Sequence, residues 1–231
     1  MKRLLILVLA ALAPSTALAD WQADLTMTPI GEGAQDGAML MQGKVRSRKD
    51  RARMELKTPV GPRVSITDHK EKKTWMLNAD AKSYVEIDHA KLAAQGGEQM
   101  PSCSGDIDAC LPAQGFKKVG AGEANGHKCT IWEKTSGSGG QVHTQRLWRP
   151  NALKEVVMVR MTSSGGPRGM EMNLTNLEMT PQDPSLFEIP EGYSKQSTPM
   201  MPVGTGGKPP SREQLEQLMK QYGNMKPPQG Q

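Results

Sequence analysis

Methionine side chains at alternating positions are the first candidates for chemistry in this chain. The sequence of 231 residues contains 16 methionines, whereas aromatic residues make up only 4%. Unbranched thioethers form a soft apolar surface that adapts to flexible chains. Ordinary filling of a core by the same side chains is the alternative that the pattern leaves open. The predicted lining of an apolar-ligand site is Met27, Met39, Met41, Met54, Leu56, Ile66, Met170 and Met172.

Other kinds of site find little support in the sequence. Copper(I) prefers soft sulfur ligands, and the Met39-x-Met41 and Met170-x-Met172 pairs would suit it. Strand alternation already explains both pairs, because residues two apart share a face of a strand. The four histidines lack metal-ligand spacing, and no nucleophile elbow or zinc motif occurs. We therefore expect a non-catalytic protein with no metal and no cofactor.

The three cysteines, Cys103, Cys110 and Cys129, bear on the compartment and on the local fold. In an oxidising compartment one disulfide is expected, which leaves one thiol over. We favour the pair Cys103 and Cys110, because these residues flank a short polar loop. Cys129 falls in an alternating apolar run and is predicted to be a buried free thiol. A bond between Cys110 and Cys129 is the main alternative.

The N-terminus has the pattern of a cleavable secretory signal. Lys2 and Arg3 precede an apolar run from Leu4 to Ala13, and the small residues of Ala17-Leu18-Ala19 come just before Asp20. That apolar run is shorter than the roughly 20 residues of a membrane span. We therefore predict a signal peptide over residues 1–19, a mature chain from Asp20, and a location in the periplasm or outside the cell. No stable membrane span is expected after the signal.

Period-two alternation of apolar and polar residues dominates the mature chain and predicts successive hairpins of one antiparallel sheet. In the first run, Trp21, Leu25 and Met27 fall on one face. Later runs place Met54, Leu56 and Ile66 on the same apolar face. Further strands are predicted at 127–134, 141–149, 153–162 and 169–179.

Two stretches interrupt the strands of the predicted domain, which spans residues 20–195. A short helix is predicted at 88–95, followed by an irregular loop from Gly96 to Leu111 that carries two of the cysteines. A single helical turn is predicted at 184–186. From residue 196 onward, a tail rich in proline and glycine is expected to be flexible, since it lacks the apolar residues of a core. Its one short helix is predicted at 211–222, where Leu215, Leu218 and Tyr222 form a stripe.

Three segments resemble a bacterial exported family of unknown function. They are Ser65 to Asp88, Gly115 to Glu133 and the closing Asp183 to Lys195. In the first of them, turns flank a short run that contains an aromatic residue and a leucine. That family is similar to the periplasmic lipoprotein carriers of the LolA and LolB type. The resemblance spans Trp21 to Lys195. It implies a mainly β fold, a curved antiparallel half-barrel with short covering helices.

Charge narrows the choice of partners. The net charge of +5 includes a cluster around one predicted turn, made of Lys44, Arg46, Arg48, Lys49, Arg51 and Arg53. Such a cluster can contact anionic head groups or an acidic partner, or it can protect sheet edges from pairing. Nucleic acid is not an expected partner, because no aromatic residues interleave with the basic ones.

Two functions follow from these patterns. The first is an apolar-ligand or lipid-associated binding protein of the cell envelope, with an acyl chain or lipid as its ligand. The alternative is a structural or protein-interaction module with a filled core, whose C-terminal tail binds an envelope protein.

Overall fold

The computed structural model describes residues 20–31, 41–58, 61–94, 100–138, 141–165 and 169–196. The predicted signal peptide at 1–19, Met39, and the tail from residue 197 with its predicted helix at 211–222 lie outside the described residues.

Alternating side chains produce twelve strands within these residues, and most of the strands are joined by tight hairpins. The first six strands are β1 Trp21–Ile30, β2 Met41–Arg48, β3 Arg51–Thr58, β4 Gly61–Asp68, β5 Lys73–Asn78 and β6 Ser83–Asp88. The last six are β7 Lys117–Ala124, β8 His127–Ser138, β9 Gln141–Pro150, β10 Arg160–Ser164, β11 Gly169–Met179 and β12 Ser194–Gln196. The helical elements are α1 His89–Ala94, α2 Ile107–Ala113 and a 3-10 helix, Pro184–Phe187.

The strands form one open, curved sheet in the order β12-β6-β5-β4-β3-β2-β1-β11-β10-β9-β8-β7. Neighbouring strands are antiparallel, except that β12 runs parallel to β6. Among the described strands, β12 and β7 lie at the two opposite edges of the sheet. A mainly β half-barrel with short helices is therefore confirmed as the fold class.

The face that carries Trp21 and Leu25 is called the inner face, and the opposite face is called the outer face. Trp21, Ala23 and Leu25 alternate along β1 and are buried on the inner face. The antiparallel register carries this face across to β11, where Leu174 is opposite Leu25. Helix α2 covers this half of the sheet, because Ile107 and Leu111 belong to the same buried cluster.

Beyond β3, buried side chains also occupy the outer face. The hairpin pairs Met54 with Ser65 and Arg53 with Ile66, so Ile66 lies on the opposite face from Met54. Ile66 is completely buried there, and Leu77 of β5 is on the same side. This corrects the assignment of Ile66 to the apolar face of Met54 and Leu56. Alternation fixes the period of each strand, but the register of the hairpin decides which face a residue joins.

The chain after β11 covers this outer surface. Arg51 and Arg53 each donate a hydrogen bond to a backbone carbonyl of the 3-10 helix, at Phe187 and Leu186 respectively. Phe187 is buried at 2% exposure. The chain then continues to β12, which pairs with the edge strand β6. Two arginines of one strand thus hold the C-terminal segment against the sheet.

The cysteine region differs in part from its prediction. Cys103 and Cys110 form the predicted disulfide, with Cα atoms 5.7 Å apart, and Cys129 is a buried free thiol as expected. Cys110, however, lies within α2 and not in an irregular loop. Asp106 caps this helix by accepting a hydrogen bond from the backbone N–H of Asp108, the kind of cap that stabilises a helix start.

The strand predicted at 153–162 is also shorter in the structure than in the prediction. Only residues from Arg160 onward form β10, whereas residues 151–159 are irregular. Val156 and Val159 are nevertheless completely buried in the inner cluster. An irregular segment therefore buries Val156 and Val159, which are three residues apart, where the sequence predicted a strand.

Candidate apolar-ligand site

Three of the predicted methionines meet at the ends of the central strands β1, β2 and β11. Met27 of β1 lies directly opposite Met41 of β2, and Met170 of β11 is opposite Pro29 of β1. Together with Ser163 and Gly169 they line a cavity of about 250 Å³. The cavity is partly open, and its lining is mostly apolar. Such a surface can accept an apolar chain.

A glycine shapes one wall of this cavity. A Cβ atom at Gly169 would lie 2.5 Å from the carbonyl oxygen of Ser163 and 2.9 Å from Cγ1 of Ile30. Both distances are shorter than real Cβ contacts, so a larger residue would push β1 or β10 away from β11. The missing side chain therefore lets the strands around the cavity approach closely.

The remaining predicted lining residues are separated from the cavity or outside the described residues. Met172 is on the same inner face but is 2% exposed, so it belongs to the packed core next to the cavity. Met54 and Leu56 are half-buried and pack against the core cluster. Ile66 faces the other side of the sheet, and the position of Met39 stays untested.

Sequence reasoning missed the non-methionine part of the lining, which consists of Pro29, Ser163 and Gly169. Pro29 lies two residues after Met27, and Ser163 lies two residues after Met161, so each shares the face of a methionine in its strand. This spacing was the available signal. A glycine gives no such signal, because its role depends on the two neighbouring strands.

The basic cluster around the β2–β3 turn is largely neutralised by carboxylates. Arg46 and Arg53 both contact Glu55, at 3.0 and 2.7 Å. Burial acts to raise the pKa of Glu55, but the hydrogen bonds from Arg53 and Arg46 outweigh it, and the pKa is lower than usual. Arg48 pairs with Asp20 and Arg51 with Asp68, at 3.0 and 3.1 Å. These arginines hold elements together, which leaves them less free to bind an anionic surface.

A second cavity, of about 470 Å³, lies beside the same turn. Its walls carry both signs of charge, including the paired Arg51 and Asp68, and Phe187 closes one side. Because cations and carboxylates alternate around it, the cavity has no clear preference for an ion of either sign.

A polar network links the disulfide loop to the sheet. Gln114 donates a hydrogen bond to the carbonyl oxygen of Ser102, and the Ser102 hydroxyl is 2.6 Å from Nδ1 of His69. Burial lowers the pKa of His69, and the nearby His89 lowers it further, against the opposing effect of Asp50 and Asp68. Neutral His69 therefore suits this network better than the charged form.

The described residues contain no group of three His, Cys, Asp or Glu side chains placed to hold a metal ion. In the same part of the chain, every helix is too short or too polar to cross a membrane.

The comparison with family models assigns most of the sheet domain to one family. The model of the family described as "Domain of unknown function (DUF4412)" matches residues 24–171, which is more than half of the chain. The chain belongs to this family. The match runs from β1 into β11 and includes Met27, Met41 and Met170 of the cavity. The predicted membership in a family of unknown function is confirmed. A comparison with curated protein sequences gives no match.

Solved structures resemble the chain only distantly. An uncharacterized conserved protein from Thermus thermophilus has 11% identity and a TM-score of 0.49, and the match covers 78% of this chain and 91% of that one. The Mycobacterium tuberculosis lipoprotein LppX has 10% identity and a TM-score of 0.40, with 70% and 88% covered. LprF from Mycobacterium bovis has 13% identity and a TM-score of 0.33, with 70% and 87% covered. The strand register of this chain, and not these likenesses, defines its fold.

Proposed function

We propose that this protein is a non-catalytic binding protein of the cell envelope that takes an apolar chain into the methionine-lined cavity. The observation that carries the proposal is the meeting of Met27, Met41 and Met170 around one partly open cavity at the ends of the central strands β1, β2 and β11. These residues come from three different strands, so only the folded sheet creates the surface.

The size of the cavity limits the ligand. At about 250 Å³ it is smaller than most small-molecule sites, which occupy about 300–1,000 Å³. The rest of the inner face is filled around Leu25 and Leu147, which are buried at 1% and 0% exposure. The site therefore suits the end of a single acyl chain better than a whole lipid. Each buried methylene would contribute about 0.8 kcal/mol.

Two features support a location outside the cytoplasm. The N-terminal segment has the sequence pattern of a cleavable signal. The Cys103–Cys110 disulfide is the kind of bond that forms and persists in an oxidising compartment. Both fit a periplasmic or secreted protein that meets lipids or lipoproteins of the envelope.

The packed interior favours a second candidate, a protein-interaction module of the envelope. Leu111 of α2 and Val156 of the irregular segment are both completely buried against the inner face. They occupy the space in which a carrier would hold a large ligand. In this alternative the cavity is a packing defect, and partner binding by the tail is the working activity.

The experiment uses the exported chain, residues 20–231, and saturated fatty acids of short, medium and long chain as probes. Binding is measured by native mass spectrometry and by isothermal titration. The test variant is Met41→Gln with Met170→Gln, which keeps the side-chain length but places amides in the apolar lining. The matched control is Met179→Gln, because Met179 is 41% exposed and is not part of the cavity lining.

We expect affinity to rise with chain length and then level off once the cavity is full. Each amide placed against the bound chain costs about 1–3 kcal/mol, so the double variant should bind at least about tenfold more weakly. The control should bind like the natural chain. Absence of binding, or equal affinity of all three proteins, would contradict the ligand site and leave the interaction module.

A further inference from the structure

The inner face of the sheet beyond β3 carries apolar side chains that the core does not cover. The register aligns Met54, Ser65, Met76 and Val85 in one row across β3–β6. The row continues from Val45, which is 9% exposed, to Met76, which is 41% exposed. Met76 is thus the most exposed member of the row, and Val85 beyond it is half-buried. We call Met76, Val85 and the neighbouring Ile87 the open strip, which is bordered by Met54 at the margin of the core cluster.

Helix α1 does not seal this strip. The helix follows β6 directly and has no buried residue. In the other half of the sheet, by contrast, α2 buries both Ile107 and Leu111. One half of the inner face therefore has a helix packed onto it, whereas the open strip does not.

The described chain ends beside the open strip. Strand β12 pairs with β6 in parallel, and its last residue, Gln196, is opposite Val85. Val85 itself belongs to the strip. The chain after Gln196 therefore starts at the edge of the uncovered surface, at the level of the Met76 row.

The tail that continues from this point contains an apolar stripe of matching character. In residues 211–222, Leu215, Leu218 and Tyr222 recur at the spacing of one helical face, after a capping pattern at Ser211. Residues 197–210 are rich in proline and glycine, and a flexible linker of that length spans about 20 Å. Adjacent strands lie about 4.8 Å apart, so this reach covers β6, β5 and β4.

We propose that residues 211–222 dock as a helix on the open strip of the same molecule. A short helix of this length is marginal alone and gains its stability from packing. The linker raises the effective concentration of the segment to the millimolar range, so weak apolar contacts suffice. The docked tail occupies β4–β6 and leaves the methionine cavity at the end of β1 and β11 uncovered. The inference is independent of the proposed ligand.

Methionine oxidation tests this docking without any ligand. Met76 and Met179 are both 41% exposed in the described residues, so undocked chains should oxidise them at similar rates. The exported chain, residues 20–231, is treated with dilute peroxide, and sulfoxide formation is followed by peptide mass spectrometry. We expect Met76 to react several-fold more slowly than Met179. A chain ending at Gln196 should oxidise both at the same rate.

Point variants separate docking from other effects of truncation. L215A/L218A/Y222A should abolish the protection of Met76, whereas Q217A/K220A, on the other side of the predicted helix, should retain it. Equal oxidation of Met76 and Met179 in the intact chain, or protection that survives the triple variant, would overturn the proposal.

A crosslink then distinguishes one molecule from two. Met76→Cys with Leu218→Cys should form a disulfide within a monomer, whereas Lys73→Cys with Leu218→Cys should not, since Lys73 is on the outer face. Crosslinked dimers, or protection that depends on protein concentration, would assign the strip to a second copy and refute docking within one chain.

Discussion

The two halves of the sheet bury their apolar side chains in different ways. In β1 and β8–β11, the core lies on the inner face, where Leu147 and Met172 pack beneath α2 and the irregular segment 151–159. In β4–β6, the most deeply buried apolar side chains are Ile66 and Leu77 on the outer face, where the C-terminal segment passes.

This difference shows that one continuous sheet need not have one apolar face. The first half gains stability from a broad cluster built on many strands. The second half depends on a covering segment held by Arg51 and Arg53, which donate to backbone carbonyls. Removing single contacts should therefore have more local consequences in the second half.

The largest effect should come from truncating a fully buried side chain in either half. Leu147→Ala and Ile66→Ala should each lower the free energy of unfolding by about 2–5 kcal/mol, because both residues are 0% exposed and leave a cavity. Urea denaturation of the two variants measures this directly. If Ile66→Ala costs less than about 1 kcal/mol, the outer cluster is not a second core, and the comparison between the halves fails.

A smaller effect should follow from releasing the covering segment. Arg53→Met removes the hydrogen bond to Leu186, and such bonds from charged groups contribute about 1.5–3 kcal/mol. We expect a loss of that order, with faster amide hydrogen exchange in the segment 184–188 than elsewhere. Lys57→Met is the matched control, because Lys57 is exposed on the same face of β3. Unchanged exchange at 184–188 would show that the segment does not depend on Arg53.

The smallest effect concerns pH. Burial and the neighbouring His89 lower the pKa of His69 below its usual 6.5, while Asp50 and Asp68 oppose this. As the pH falls, the unfolded chain takes up the proton first. The stabilising contribution of neutral His69 to the free energy of unfolding is therefore complete above about pH 6.5. It decreases as the pH falls towards the lower pKa that His69 has in the folded protein.

The variant His69→Asn tests this, since its amide can still bond to Ser102 while no longer titrating. The slope of unfolding free energy against pH, just below pH 6.5, should become flatter in the variant. An identical slope in both proteins would mean that the network around Ser102 is indifferent to the charge of His69.

Much of the fold was accessible from local patterns. Alternation predicted the hairpins of β1–β6, the short polar loop predicted the Cys103–Cys110 disulfide, and the helical turn near Pro184 lies where expected. Helix α2 was missed because its seven residues, with Pro112 inside, show too little periodicity. The strand predicted at 153–162 forms only from Arg160 onward, because the preceding irregular segment buries Val156 and Val159, which are three residues apart, without strand pairing.

The candidate site was predictable in part. Met27, Met41 and Met170 were selected as inward residues of separate strands, and the structure brings them together. Met172 was selected by the same rule but is 2% exposed, inside the packed core. Alternation identifies the face of the strand on which a residue lies, but it does not say how deeply the residue is buried. Burial depends on which other elements cover that position.

The sequence by itself determined the strand period and many of the hairpin turns, and it favoured the Cys103–Cys110 disulfide over a bond between Cys110 and Cys129. Each of these features depends on residues that are close along the chain. Only the tertiary structure decided which face Ile66 joins, which methionines surround a cavity and where the open strip lies. These features depend on register between strands and on covering segments distant in sequence. For example, Met27 and Met172 become neighbours only when β1 pairs with β11.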